Sequence, residues 1–177
     1  SVMNGFEREI TRHVLAMTAH AEIVKLGTTI DDWKTLEKAI YRDKRVVTSA
    51  PYIRAGAMGV HKNNVKGVVA EGITPDLESD MNEIHRYLPT GAMDKLIGNS
   101  RRVLIGTTLA KHLEVHVGDT ITVIIPAWDD RGKAASPYYE QLIVADIFDL
   151  GMHQFDSALL LMRIEDARNI FRLGEVI

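Results

Sequence analysis

The stretch RVLIGTTLAKHLEVHVGDTITVIIP, residues 102–126, decides the fold of this chain. Val103-Leu104-Ile105 is a short apolar run rich in β-branched side chains, which fit a pleated, buried surface. Gly106 ends it, and Thr107 to Leu113 reads as a helix. Gly118-Asp119 makes a turn, and Thr120 to Ile125 resumes as strand. Strand, helix and strand thus follow one another with almost no connecting chain. Downstream, residues 140–148 and 158–162 read as two more strands, and 165–171 as a short helix.

Upstream the pattern is mixed. Residues 21–26 read as a strand ended by Gly27. Asp31 is a candidate helix N-cap, and Trp33, Leu36 and Ile40 make an apolar stripe for a helix over 31–42 expected to pack on the neighbouring sheet. Residues 52–60 and 65–73, joined by Lys62-Asn63-Asn64, read as a hairpin paired in one sheet with the 21–26 strand. Thr74-Pro75-Asp76 punctuates the chain, and an acidic, polar stretch follows. The expected architecture is α+β in two subdomains: a small α/β portion over 1–73 and a β-rich portion over 74–177. No internal repeat and no low-complexity segment is visible.

Composition narrows the function classes. The 177 residues carry 46% hydrophobic and 25% charged side chains with a net charge of −3. That balance is ordinary for a globular domain and gives no support for nucleic acid binding. No apolar run approaches the ~18–20 residues that span a bilayer. The absence of cysteine removes disulfides and thiol chemistry. Among the seven histidines, His112 and His116 have the spacing that places two imidazoles on one helical face. No third ligand is signalled, and histidine near a helix end is favoured by the dipole alone. There is no Gly-x-Ser-x-Gly elbow and no Walker motif around Gly132-Lys133, and Asp129-Asp130 reads as a solvated turn. The expectation is a chain without catalytic site, metal or cofactor.

The opening run Ser1-Val2-Met3-Asn4-Gly5-Phe6-Glu7-Arg8-Glu9 carries a different signal. Asn4 can cap a helix with Glu7 three residues on, and Phe6, Ile10, Val14 and Met17 fall on one stripe. The string resembles the S-(V/I)-M-N-G-F-E-(R/K)-E signature that follows the first transmembrane helix in permease subunits of lipoprotein-releasing ABC transporters, the LolC/LolE type. Residues 103–110 are similar to that family's (V/I)-(V/I)-(L/I)-G-x-x-L-A, residues 117–126 to its V-G-D-x-(V/I)-x-(V/I)-(M/I)-x-P, and Ile164-Glu165-Asp166-Ala167 to the helix start after its last strand.

The resemblance implies a non-enzymatic periplasmic domain of an inner membrane permease, built like the efflux-permease core domain: an α/β portion beside the membrane and a β-rich portion inserted into it. The implied partners are an ATPase subunit, a second permease subunit, lipoprotein cargo and a periplasmic lipoprotein carrier. In the family more chain follows the inserted portion and completes the α/β half, whereas this sequence stops at Ile177. Two alternatives stay open: an efflux or cell-division permease of the same architecture, and a stand-alone α/β ligand-binding protein or enzyme.

The connection over 126–137 is the candidate contact surface, since it is long for a hairpin. Trp128, Asp129, Asp130, Arg131 and Lys133 place one large aromatic among charges. In the family, the equivalent loop of one permease subunit is a hook that docks the carrier. That hook has a Pro-x-Gly element which Asp130-Arg131-Gly132 does not reproduce, so weak or absent docking is expected. The loop is expected to project as a hairpin tip on a stem of Ile121, Val123, Ile125, Leu142 and Val144.

Overall fold

A computed structural model describes residues 21–25, 29–75, 88–98, 101–128 and 131–174. The elements in chain order are α1 (Trp33–Ile40), β1 (Ile53–His61), β2 (Asn64–Ile73), β3 (Arg102–Gly106), α2 (Thr107–Leu113), β4 (Thr120–Trp128), β5 (Ala134–Phe148), α3 (His153–Asp156), β6 (Leu159–Arg163) and α4 (Ile164–Phe171). The six strands close into a barrel in the order β1-β2-β6-β3-β5-β4. Closure leaves no strand of the ring without a neighbour on either side, which removes the edge liability of an open sheet.

The barrel has an internal twofold plan. The hairpins β1–β2 and β4–β5 are antiparallel and meet through β1 and β4. The second strand of each hairpin pairs parallel with a short strand, β2 with β6 and β5 with β3, and these two short strands meet antiparallel. Each short strand passes directly into a helix through one extended residue, Gly106 (φ −64, ψ 145) before α2 and Arg163 (φ −66, ψ 146) before α4. Both helices end in a left-handed residue, Glu114 or Arg172, closed by a 3.0 Å bond from Val115 N–H to the Ala110 carbonyl and from Leu173 N–H to that of Arg168. This is the Schellman closure. The repeat is topological. Equivalent positions share roles, such as buried Ala110 and Ala167, rather than a readable string.

Burial follows the layering. Inside the ring lie Val68, Ala70, Val103, Ile105, Ile121, Val123, Leu142, Val144, Leu160 and Met162, joined by Leu109 and Leu113 of α2 and Ile164, Ala167 and Ile170 of α4. A second cluster covers the outer face of β3, β5 and β6: Leu104, Ala145, Phe148, Leu159 and Leu161 pack with Leu88, Ala92 and Leu96. Strands β3 and β6 are therefore buried on both faces. That is why Val103-Leu104-Ile105 and Leu159-Leu160-Leu161-Met162 are unbroken apolar runs while β4 alternates. At roughly 1.5–3 kcal/mol per fully buried aliphatic side chain, these two clusters dominate the stability.

Several expectations need correction. The sheet crosses the boundary placed at residues 74–76: the β1–β2 hairpin, assigned to the first portion, supplies two of the barrel's strands. The reason is hydrogen bonding, since the hairpin's two outer edges are taken up by β4 and β6. Among the described residues 21–25 no strand forms. Helix α1 exists, but it does not pack on the sheet as expected. Trp33, Leu36 and Ile40 are half-buried, no α1 residue is fully buried, and Glu37 shares their face. The Trp33 ring instead faces the Arg168 guanidinium of α4 at 5.9 Å. The Ser49 hydroxyl donates to Glu37 at 3.3 Å, and the Ser49 N–H donates to the Tyr41 hydroxyl at 3.0 Å. The expected helix near the N-terminus, with Phe6 and Met17, lies outside the described residues.

Two close approaches lock helices to strands. A Cβ on Gly72 would lie 2.4 Å from the Ala167 Cβ, and one on Gly106 would lie 2.4 Å from the Asp156 carbonyl oxygen. Buried Asp156 in turn accepts from the backbone N–H groups of Leu150 at 2.8 Å and Met152 at 3.0 Å, fixing the loop before α3. Gly106→Ala is expected to lower unfolding free energy by about 1–3 kcal/mol through overpacking. Gly67→Ala, whose Cβ meets nothing within 4 Å, should change it by less than ~0.5 kcal/mol; urea denaturation at constant m reads both. Asp156→Ala should cost about 1–3 kcal/mol, because a buried N–H of Leu150 and a part-buried N–H of Met152 lose their acceptor. A midpoint unchanged from wild type would show that another acceptor replaces the carboxylate.

Candidate functional site

The β4–β5 hairpin is longer than the sequence implies. Its ladder runs from Thr120↔Ile143 to Ala127↔Ala135 and Trp128↔Ala134, with a register shift between Ile125 and Ala127. Pro126 sits in that shift, where a missing N–H removes no ladder bond. The expected twelve-residue connection is thus reduced to residues 129–133. Ala134-Ala135-Ser136-Pro137 reads as loop because it is small and polar, yet it pairs because β4 presents partners opposite it. The stem is as expected: Ile121, Val123, Ile125, Leu142 and Val144 are all buried.

Of the candidate contact residues, Arg131 and Lys133 are exposed at the turn beside Gly132, whose φ of +71 is the left-handed geometry a tight reversal uses. Trp128 is the last residue of β4; its side chain lies outside the described residues, as do Asp129 and Asp130. Residues 134–137 are exposed. The ribbon is tied to the barrel at its base. The Arg172 guanidinium lies 3.5 Å from the Tyr138 ring centroid, and Arg101 pairs with Glu140 at 2.6 Å. The described part of the ribbon is thus an exposed two-stranded projection on a pinned base.

The histidines are dispersed. His112 is exposed on α2, and His116 lies beyond the helix end. There Asp119 accepts from the His116 backbone N–H at 2.8 Å, and that bond, ahead of nearby imidazoles, holds the Asp119 carboxyl below its ordinary range. His61 Nδ1 lies 2.9 Å from the Leu113 carbonyl, and the Asn64 amide donates to the same oxygen at 3.4 Å, so the β1–β2 turn caps α2. Among the described residues no group of three His, Cys, Asp or Glu is placed to hold a metal ion. No described helix is long and apolar enough to cross a membrane.

Sequence reasoning missed a second feature at the opposite end of the barrel from the ribbon. Lys66 of β2, Thr108, Lys111 and His112 of α2, and His153 and Ser157 around α3 line an open cleft of about 440 Å³. Its residues come from three distant segments, so no spacing rule could have gathered them.

No family model matches the chain. It is 31% identical over 175 residues to the lipoprotein-releasing system transmembrane protein LolC of Neisseria meningitidis serogroup B, covering 99% of this chain and 42% of the relative. It is 29% identical to LolC of Xylella fastidiosa with the same coverage. To LolE of Haemophilus influenzae it is 31% identical over 165 residues, 90% of this chain and 39% of the relative. The chain therefore spans less than half the length of the curated relatives it matches. Among solved structures, the extracellular domain of the noncanonic ABC-type transporter YknZ from Gram-positive bacteria superposes with a TM-score of 0.53 at 9% identity, covering 91% of this chain and 76% of that one. The likeness extends to the fold alone. Aligned from end to end with a continuous segment of these transmembrane proteins, the chain belongs to the LolC/LolE family of lipoprotein-releasing system proteins.

Proposed function

We propose that this chain is the periplasmic domain of an inner membrane ABC transporter permease that releases lipoproteins and passes them to a periplasmic carrier. The observation that carries the reading is the 175-residue match to a lipoprotein-releasing transmembrane protein by a chain that folds like a transporter's extracellular domain. The physical task is set by the cargo. Each acyl CH₂ buried in the bilayer contributes about 0.8 kcal/mol, so extraction has to be driven and the chain shielded from water. The driving ATP hydrolysis belongs to a separate subunit, and a second permease subunit completes the assembly. This domain performs no catalysis and binds no cofactor in this reading. Residues 1–52, with α1, serve as the membrane-proximal portion, and the barrel from Ile53 onward is the inserted one.

Full-length permease, reconstituted with its ATPase in proteoliposomes holding a labelled lipoprotein, tests the proposal. ATP-dependent transfer of the label to soluble carrier is expected, and excision of the barrel should abolish it. Undiminished transfer without the barrel, or release only of cargo that carries no lipid, would contradict it.

The tip residues Trp128, Asp129, Asp130, Arg131 and Lys133 are the proposed partner contact. Because Asp130-Arg131-Gly132 replaces the family's Pro-x-Gly element, carrier docking through this tip is weak or absent. A titration of the domain with soluble carrier should give no tight complex, and Trp128→Ala should change little. Tight binding that falls about thirtyfold with Trp128→Ala, the ~2 kcal/mol of a hot spot, would instead make the tip a docking hook.

A further inference from the structure

The described residues that line the cleft between α2 and α3 are cationic, imidazole or hydroxyl side chains: Lys66, Lys111, His112, His153, Thr108 and Ser157. Among the described residues no carboxylate lines it, although the whole chain carries a net charge of −3. Elsewhere on the described surface a number of cations are neutralised by a neighbour. Lys25, Arg45, Arg54, Lys95, Arg101 and Arg163 each sit against an aspartate or glutamate. Among the described residues, Lys66, Lys111, His112 and His153 have no ion-pair partner. Uncompensated like charges brought together repel, so their placement favours a ligand of opposite sign.

The walls are also fixed before any ligand arrives. Gly106 lets the start of α2 lie against the Asp156 backbone, a contact that any side chain there would block. The Asp156 carboxylate is engaged by the Leu150 and Met152 N–H groups, one on each oxygen, and is not among the residues that line the cleft. The far end of α2 is held by His61 and Asn64 from the β1–β2 turn. Hydroxyl and ammonium donors on preset walls suit an acceptor-rich group, and preorganisation removes part of the ordering cost of binding.

We propose that this cleft is a binding site for a multiply charged oxyanion, a phosphate group carried either by a soluble molecule or by a lipid headgroup. Lys111 and Lys66 supply charge, and the Thr108 and Ser157 hydroxyls supply donors. The site is independent of the reading as a lipoprotein-release domain, because it lies at the other end of the barrel from the β4–β5 tip.

Two arms test it on the 177-residue chain. In the first, inorganic phosphate and pyrophosphate are titrated at constant ionic strength while amide chemical shifts are followed. Saturable one-to-one shifts are expected at Lys66, Thr108, Lys111, His112, His153 and Ser157. Lys111→Gln should weaken binding about tenfold, the size of one lost charge-assisted hydrogen bond, at unchanged melting temperature. Lys44→Gln, a surface cation outside the cleft, should leave it unaltered. In the second arm, co-sedimentation with phosphatidylglycerol vesicles is compared with phosphatidylcholine alone. Sedimentation that depends on Lys111 assigns the phosphate to a headgroup, and soluble binding without sedimentation assigns it to a free ligand. The proposal fails if neither arm gives saturable binding, or if Lys44→Gln weakens it as much as Lys111→Gln, which would make the attraction diffuse charge.

Discussion

Two five-residue strands, β3 and β6, meet antiparallel at Leu104↔Leu161 and Ile105↔Leu160, and the barrel depends on that seam. Each strand holds a hairpin in parallel register on its other side, so the seam closes the ring opposite the β1–β4 contact. A seam this short cannot rest on its ladder bonds. It holds because both faces are buried, one inside the ring and one under Leu88, Ala92 and Leu96. The helices that follow each strand then fold back at once, which requires Gly106 where α2 meets α3 and Gly72 where α4 crosses β2.

The local elements near this seam were readable because their signals are dense. Val103-Leu104-Ile105-Gly106 and Leu159-Leu160-Leu161-Met162 are continuous apolar runs with a stop, and Gly118-Asp119 is an unambiguous turn. The β1–β2 hairpin was equally plain at Lys62-Asn63-Asn64. What could not be read was pairing over distance. Nothing in Val69 or Leu159 announces that they lie side by side, so local punctuation places a boundary at residues 74–76 where the sheet runs across it. Local polarity misled in the other direction at Ala134-Ala135-Ser136-Pro137, which a facing strand recruits into the ladder. The isolated stripe Trp33, Leu36 and Ile40 forms a helix face as expected, but a stripe does not name its partner.

The same divide governs function. The family resemblance is legible in short strings that occur in a fixed order along the chain. The candidate residues Trp128, Asp129, Asp130, Arg131 and Lys133 stand out as a polar stretch between two apolar strands. The cationic cleft does not, because Lys66, Lys111 and His153 are separated by dozens of positions and only the barrel assembles them.

The plugged interior has a mechanical meaning. With α2 and α4 contributing to one continuous packed core, the ring has no lumen, and close packing resists compression. The barrel is thus a solid body rather than a conduit. Such a body behaves as a strut: a tilt imposed at the cleft end reaches the ribbon at the other end with little loss. The Arg172–Tyr138 contact ties the foot of the ribbon to that body, so the base of the ribbon shares its stiffness.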